Sequence, residues 1–125
     1  DELVDVDFAA LLERHRSAGA AATVTVARPK SPFGVVDLGD GDVVEGFSEG
    51  GKIPYWVNCG IYVLSEEALE RFPAKGDHET TAFPELAAEK RLRAFRHTGL
   101  WLTVNTPKEL RRADEYVTAH PEWLA

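Results

Sequence analysis

The sequence is poor in sulfur: it has no methionine and one cysteine, Cys59. A single cysteine excludes an internal disulfide and any metal cluster that needs several thiolates. We therefore expect a reducing, cytoplasmic setting. The chain starts at Asp1 without a methionine, so we interpret it as either processed or part of a longer protein, and we favour the second interpretation.

Long hydrophobic runs and an excess of positive charge are also missing. No apolar run approaches the roughly 18 residues that a membrane span needs. The formal net charge is −7, from 14 basic and 21 acidic residues, and such a surface repels the phosphate backbone of nucleic acids. We therefore expect neither a membrane nor a nucleic acid as partner.

A glycine-rich phosphate loop is the third absence. Neither G-x-G-x-x-G nor G-x-x-x-x-G-K-[ST] occurs in the chain, so it lacks the two common devices that hold nucleotide phosphates. The rest of the composition is ordinary for one globular domain: 125 residues, of which 44% are hydrophobic and 28% charged.

The spacing of apolar residues predicts alternating helices and strands. Helices are expected over residues 7–18, over 80–89 and from 106 onward, with a short one after Ser65. Strands are expected over 22–27, 92–96 and 101–104, with a hairpin around 39–42. Residues 55–64 form the most apolar stretch and are predicted to be a central strand buried on both faces. This mixture indicates an α/β sheet covered by helices.

Few single residues point to chemistry on their own. Asp1, Asp5 and Asp7 stand at alternate positions, which could place them on one face of a strand and suit a divalent cation. A solvated strand edge running into a helix cap explains the same spacing, and we favour it. Asn58 lies in the most apolar stretch, where its amide needs a partner, either a protein group or a substrate.

Five stretches taken together carry a family resemblance. They are SPFGVVDL at 31–38, VEGFSE at 44–49, IPYWVNCGIYVL at 53–64, FPELA at 83–87 and WLTVNTP at 101–107. In this order they resemble the sugar-1-phosphate nucleotidyltransferases (NDP-sugar pyrophosphorylases), and most closely the mannose-1-phosphate guanylyltransferase branch. The resemblance covers nearly the whole chain and corresponds to the C-terminal half of the family's catalytic domain. The family's G-x-G-T-R loop, which holds the nucleoside triphosphate, is absent.

The resemblance implies a fold and a reaction. The fold is the C-terminal portion of a Rossmann-like, GT-A-like domain of nucleotide-diphospho-sugar transferases, a mixed sheet flanked by helices, with the N-terminal nucleotide-binding half absent. The reaction joins a sugar-1-phosphate to an NTP, giving an NDP-sugar and pyrophosphate. The implied partners are a sugar-1-phosphate or nucleotide sugar and the missing half of the domain. Because a half-sheet has unpaired edges, we also expect self-association.

The resemblance also implies site residues. Gly34 would let a sugar approach the backbone, Glu49 would accept hydrogen bonds from sugar hydroxyls, and Asn58 with Gly60 would line the same pocket. Asp1 falls on a Mg²⁺-ligand position. No residue of this chain is expected to act as a catalytic acid, base or nucleophile, because the reaction depends on charge neutralisation and alignment.

Two departures from the family pattern keep a second function open. Gly50 replaces the lysine that meets the sugar phosphate, and Lys52 is the candidate substitute. Thr103 replaces the aspartate that completes the Mg²⁺ site, so Mg²⁺ is expected to bind weakly. The chain is therefore either part of an active transferase or a non-catalytic relative that binds a nucleotide sugar and regulates a partner.

Overall fold

The computed structural model describes residues 1–124. They divide into a larger unit, residues 8–98, and a smaller unit, which combines residues 1–7 with the segment from Gly99 onward. In chain order the elements are β1 (Glu2–Val4), α1 (Phe8–Ala18), β2 (Ala22–Ala27), β3 (Val35–Leu38), β4 (Val44–Ser48), β5 (Val57–Leu64), α2 (Glu66–Glu70), α3 (Ala82–Ala88), β6 (Leu92–Arg96), β7 (Trp101–Thr103) and α4 (Pro107–Ala119). None of the described helices is long and apolar enough to cross a membrane.

A three-stranded mixed sheet forms the centre of the larger unit. Strand β2 lies in the middle, with β5 antiparallel on one side and β6 parallel on the other. Four of the six residues of β2 are buried, as expected for β-branched and small residues in a central strand. The mixed α/β sheet with flanking helices confirms the expected fold class.

Helices pack on both faces of this sheet. Successive strand residues point to opposite faces, and the contacts of Thr23 and Val24 separate the two. Thr23 bonds His15 of α1 through Oγ1 and Nδ1, 2.9 Å apart. Val24 instead packs against the main apolar cluster, which includes Phe83 and Leu86 of α3. The cluster consists of Ala21, Ala22, Ala68, Phe83 and Leu86, with Val24, Tyr62, Leu64, Phe72 and Leu92 packed around it.

The prediction that residues 55–64 form a central, doubly buried strand is wrong. Among the described residues β5 is an edge strand that pairs with β2 alone, and Cys59 is its one buried residue. The run is apolar because residues such as Tyr62 and Leu64 pack against the cluster. The apolar composition of β5 therefore reflects the packing of some of its side chains, and it does not indicate which strands are its neighbours in the plane of the sheet.

The predicted hairpin is confirmed as β3 and β4. Val36 pairs with Phe47 and Leu38 with Val44, across a bulge after Asp37. These two cross-strand pairs share one face of the ribbon. All four side chains are exposed, with Phe47 at 67% and Leu38 at 65%. The hairpin therefore presents an apolar face, and we call these four residues the hairpin face.

The smaller unit contains a two-stranded ribbon and a helix. Strand β1 pairs antiparallel with β7, with Glu2 opposite Thr103. Helix α4 begins as the sequence predicts: Thr106 is the N-cap, Pro107 occupies the first turn, and Glu109 completes a capping box. In such a box the cap hydroxyl and the Glu carboxylate satisfy backbone amides that have no partner within the helix.

Candidate functional site

Asn58 is held by protein groups on all sides of its amide. Its Nδ2 donates to the Tyr62 hydroxyl at 2.6 Å and to Glu79 Oε1 at 2.8 Å. Its Oδ1 accepts from the backbone N–H of Gly60 at 2.8 Å. The Tyr62 hydroxyl also donates to Glu79 Oε1, at 3.0 Å. The amide that the sequence left between two interpretations thus has structural partners, and both of its donor hydrogens are used.

This network still presents acceptors to solvent. Asn58, Gly60 and Glu79 are exposed. Both bonds to Glu79 fall on Oε1, so Oε2 is the oxygen of that carboxylate directed away from the network. Gly60 has a φ of 73°, a left-handed conformation that favours glycine. A fixed amide beside an exposed carboxylate oxygen suits the recognition of hydroxyl groups.

Gly34 and Glu49 also lie side by side. A Cβ added to Gly34 would stand 2.6 Å from Phe47 Cζ and 3.2 Å from Glu49 Oε2. A side chain at position 34 would therefore push against the Glu49 carboxylate, which is exposed at the end of the hairpin. Because Gly34 has no side chain, the Phe47 ring and the Glu49 carboxylate both approach its backbone closely.

Lys52 sits on a second short ladder. Residues 52 and 30 form an isolated antiparallel bridge, Lys30 with Lys52, flanked by a hydrogen bond from Ile53 N to Pro29 O of 3.0 Å. Both lysines are exposed. Gly50 lies in the turn after β4, with a φ of 64°. The structure thus brings the expected site residues together in pairs, and no hydrogen bond among the described residues joins Glu49 to Asn58.

A concavity in the larger unit does not coincide with these residues. It has a volume of about 560 Å³ and is lined by Arg14, Ala94, Phe95 and Arg96. None of the sugar-site candidates contributes to its lining. The candidate sugar-binding side chains therefore lie outside the lining of this concavity.

In the smaller unit, Asp1 directly precedes β1, and Thr103 is the last residue of β7, the strand that pairs with β1. The carbonyl of Asp1 accepts from Val104 N at 2.7 Å, one position from the pair of Glu2 with Thr103. The Thr103 hydroxyl donates to Glu109 Oε1 at 3.0 Å. Thr103, at the position where the resemblance implies an aspartate, is therefore engaged in a bond to the cap of α4.

Glu109 accepts hydrogen bonds from Thr103, Asn105 and Thr106. Its Oε2 accepts from Asn105 N at 2.9 Å and from Thr106 N at 3.0 Å. The backbone amide of Asn105, followed by the Thr103 hydroxyl and then Thr106, holds the pKa of Glu109 below its ordinary value. Donors that bond the ionised form favour it, which is the direction of this shift.

The described residues do not form a magnesium site by themselves. No group of three or more His, Cys, Asp or Glu side chains in this part of the chain could hold a metal ion. The alternate spacing of Asp1, Asp5 and Asp7 does not produce a cluster, because β1 ends at Val4. Asp1 is the one carboxylate at a position that the resemblance assigns to Mg²⁺, and it fits an ion held mainly by substrate phosphates.

The sequence analysis did not identify two residues of the Asn58 network, Tyr62 and Glu79. Tyr62 stands four residues after Asn58, and the alternation of β5 places positions 58, 60 and 62 on one face, so the sequence carried a signal for it. Glu79 comes from the loop before α3, 21 residues away from Asn58. Nothing in the local pattern links them.

The comparisons with known proteins identify the family. The profile of the nucleotidyl transferase family matches residues 1–120. Mannose-1-phosphate guanyltransferase 2 of Candida glabrata is 32% identical over 137 aligned positions, covering 100% of this chain and 38% of the relative. A probable glucose-1-phosphate cytidylyltransferase of Bacillus subtilis is 33% identical, covering 88% of this chain and 44% of the relative. The chain belongs to the sugar-1-phosphate nucleotidyltransferase family, and it spans less than half the length of these relatives.

Solved structures support the fold. A putative glucose-1-phosphate thymidylyltransferase from Bacillus anthracis, in complex with a sucrose, superposes with a TM-score of 0.62 at 17% identity. The match covers 93% of this chain and 51% of that structure. HddC from Yersinia pseudotuberculosis gives the same TM-score at 20% identity, with 93% of this chain and 52% of that structure covered. At such identities the likeness establishes the shared fold.

Proposed function

We propose that this chain forms the sugar-phosphate-binding part of an enzyme that joins a sugar-1-phosphate to an NTP, releasing pyrophosphate and an NDP-sugar. The family match over residues 1–120 is the observation that carries the proposal. Mannose-1-phosphate with GTP and glucose-1-phosphate with another NTP are the candidate pairs, because relatives bear names of these kinds. The residues that hold the NTP are proposed to lie outside this chain, which has no glycine-rich phosphate loop.

The proposed roles follow from the side chains. Glu49, whose carboxylate lies next to Gly34, accepts hydrogen bonds from sugar hydroxyls. Tyr62 and Glu79 fix the Asn58 amide, and this hydrogen-bonded group contacts hydroxyls of the same sugar. Gly60 has no side chain, which allows the sugar to approach the backbone closely. In this arrangement the chain binds and orients the sugar, and no side chain is required to transfer a proton.

Asp1 is the proposed carboxylate ligand of a weakly held Mg²⁺. When bound, the ion supplies positive charge that neutralises the phosphates. With one protein carboxylate, we expect binding that depends on oxygens from the nucleotide. Calorimetry should then show no tight Mg²⁺ binding in the absence of nucleotide.

Turnover by the full-length gene product tests the proposal. Pyrophosphate release should require both a sugar-1-phosphate and an NTP in a panel of hexose 1-phosphates and nucleotides. Glu49→Gln should raise KM for the sugar phosphate about 10- to 100-fold, because hydrogen bonds to charged groups contribute roughly 1.5–3 kcal/mol. Glu45→Gln, which changes an exposed carboxylate of β4 on the same hairpin, is the matched control and should leave KM unchanged.

A regulatory relative that binds without turnover is the second candidate. The bond from Thr103 to Glu109 favours it, because it places a neutral, engaged hydroxyl at the position of the second metal carboxylate. Binding of a nucleotide sugar with no pyrophosphate release under any combination would support this candidate and contradict the first. Equal KM values for wild type and Glu49→Gln would remove Glu49 from the site in the enzyme.

A further inference from the structure

Two arginines share one tryptophan ring in the larger unit. The guanidinium carbon of Arg96 lies 5.3 Å from the centroid of the Trp56 ring, and that of Arg28 lies 5.9 Å from it. Arg28 directly follows β2 and Arg96 is the last residue of β6. Since β2 and β6 are parallel, both arginines stand at the carboxyl ends of strands, where open α/β sheets bind their ligands.

The carboxylates of the described residues leave both arginines without an ion pair. Within residues 1–124, ion pairs with carboxylates involve Arg71 and Arg91, and Arg28 and Arg96 form none. Two like charges against one ring repel each other, and the ring's attraction for cations offsets part of that repulsion. An anion that contacts both guanidinium groups would offset the remaining repulsion between them. The arrangement is therefore poised for an anionic ligand.

The backbone around Arg28 fixes the position of this cluster. Arg28 Nε donates to the carbonyl of Ile53 at 3.0 Å. The next lysine along the chain, Lys30, is paired with Lys52 across the adjoining ladder. This region of the larger unit therefore contains four basic residues, Arg28, Lys30, Lys52 and Arg96. The chain as a whole has a net charge of −7, so such a group of positive charges is unusual in it.

The register of the sheet relates the arginines to the sugar site. Val26 pairs with Asn58 on one side and with Arg96 on the other. Residues paired in this way lie in one row on the same face of a sheet. Adjacent strands are about 4.8 Å apart, so the backbones at Asn58 and Arg96 are separated by about 10 Å. A hexose carrying a phosphoryl group can extend across that separation.

We propose that Arg28 and Arg96, held against Trp56, bind the phosphoryl group of the sugar phosphate. This inference rests on the proposed function and specifies where the charged end of its substrate lies. A guanidinium can donate two parallel hydrogen bonds to a phosphate, which a lysine ammonium cannot. The pair thus supplies the positive charge that Gly50 lacks at the position of the family's lysine.

Kinetics of the full-length gene product with mannose 1-phosphate and GTP test the assignment. Arg28→Gln and Arg96→Gln should each raise KM for mannose 1-phosphate about tenfold or more, with KM for GTP unchanged. Arg96→Lys should recover part of the loss, because the charge remains and the fork is gone. Arg93→Gln is the matched control: Arg93 is exposed on the same strand and points to the opposite face, so KM should not change.

Several outcomes would overturn the assignment. These are an unchanged KM for mannose 1-phosphate in both Gln variants, an equal rise in Arg93→Gln, or a rise confined to GTP. If one Gln variant has a melting temperature well below that of the wild type, the assignment is judged from the KM values of the other Gln variant and of Arg96→Lys. Calorimetry adds an independent readout: mannose 1-phosphate should bind the wild type more tightly than Arg28→Gln, and free mannose should bind both equally.

Turnover by the wild type distinguishes a failure of the proposed phosphate site from a failure of the proposed function. Absence of turnover with every hexose 1-phosphate and NTP contradicts the proposed function, and calorimetry then tests the phosphate site alone. Turnover by the wild type that both arginine variants leave unchanged contradicts the phosphate site and leaves the proposed function standing.

Discussion

Thr103 has a structural role, because it contacts the carboxylate of Glu109 that caps α4. The Thr103 hydroxyl donates to Glu109, and the same carboxylate receives the backbone amides that open α4. An aspartate at position 103 would place a second negative charge beside Glu109. Thr103→Asp is therefore expected to cost stability at neutral pH, besides any effect on metal binding.

The lowered pKa of Glu109 predicts a pH-dependent contribution to stability. A carboxyl whose folded pKa lies below its unfolded value of about 4.3 stabilises the fold above that value. This contribution disappears as the pH falls through the lowered pKa. Glu109→Gln should therefore melt at a lower temperature than wild type at pH 7, and the difference should shrink towards pH 3.

Thermal melts of the two proteins across this pH range are the measurement. Glu115→Gln, an exposed substitution on the same helix, is the control and should change the melting temperature little. A difference between wild type and Glu109→Gln that is constant with pH would mean that the ionised form of Glu109 does not carry the stabilisation.

The sequence could predict the elements far better than the contacts between them. The Thr106-Pro107 pair predicts the start of α4, and apolar runs around a Gly/Asp turn predict the hairpin, because these signals are local. The edge position of β5 could not be predicted, since pairing in the plane of a sheet depends on distant strands. For the same reason the sequence analysis singled out Asn58 but did not find Glu79, its hydrogen-bond partner 21 residues away.

At the scale of the element, the hairpin and its following turn position Glu49. Two glycines in this region have different physical roles. The Phe47 ring and Glu49 Oε2 approach the backbone of Gly34 closely, whereas Gly41 has open space around it but a φ of 64°. Their substitution by alanine therefore separates an effect on the site from an effect on folding.

We predict opposite outcomes for Gly34→Ala and Gly41→Ala. In Gly34→Ala the new methyl group displaces the exposed end of Phe47 at little cost but shifts Glu49, so KM for the sugar phosphate should rise with stability nearly unchanged. In Gly41→Ala the left-handed backbone should cost about 1–2 kcal/mol of stability, with KM unchanged. Steady-state kinetics and thermal melts report both quantities. A Gly34→Ala variant with wild-type KM would contradict the role given to this pair.

On the whole molecule, the described residues include exposed apolar side chains and strand edges that have no partner strand. The hairpin face (Val36, Leu38, Val44 and Phe47) is exposed on a ribbon of two strands, and such ribbons are marginal unless something covers them. Among the described residues β5 and β6 are also edges of their sheet. Surfaces of this kind recruit partners.

The 125-residue chain by itself is accordingly predicted to self-associate. Sedimentation over a concentration series should show species heavier than a monomer. Phe47→Lys should shift the distribution towards monomer by placing a charge on the hairpin face. Ser48→Lys adds the same charge to the other face of β4 and should have little effect. A compact monomer at all concentrations would contradict the prediction.

The most direct measurement of the central claim is a crystal structure of the full-length gene product with mannose 1-phosphate bound. The account predicts sugar hydroxyls within hydrogen-bond distance, about 2.7–3.2 Å, of the Glu49 carboxylate and of the Asn58–Glu79 network. It also predicts the phosphoryl group beside Arg28 and Arg96. A sugar phosphate bound elsewhere, with Glu49 and Asn58 both facing solvent, would contradict it.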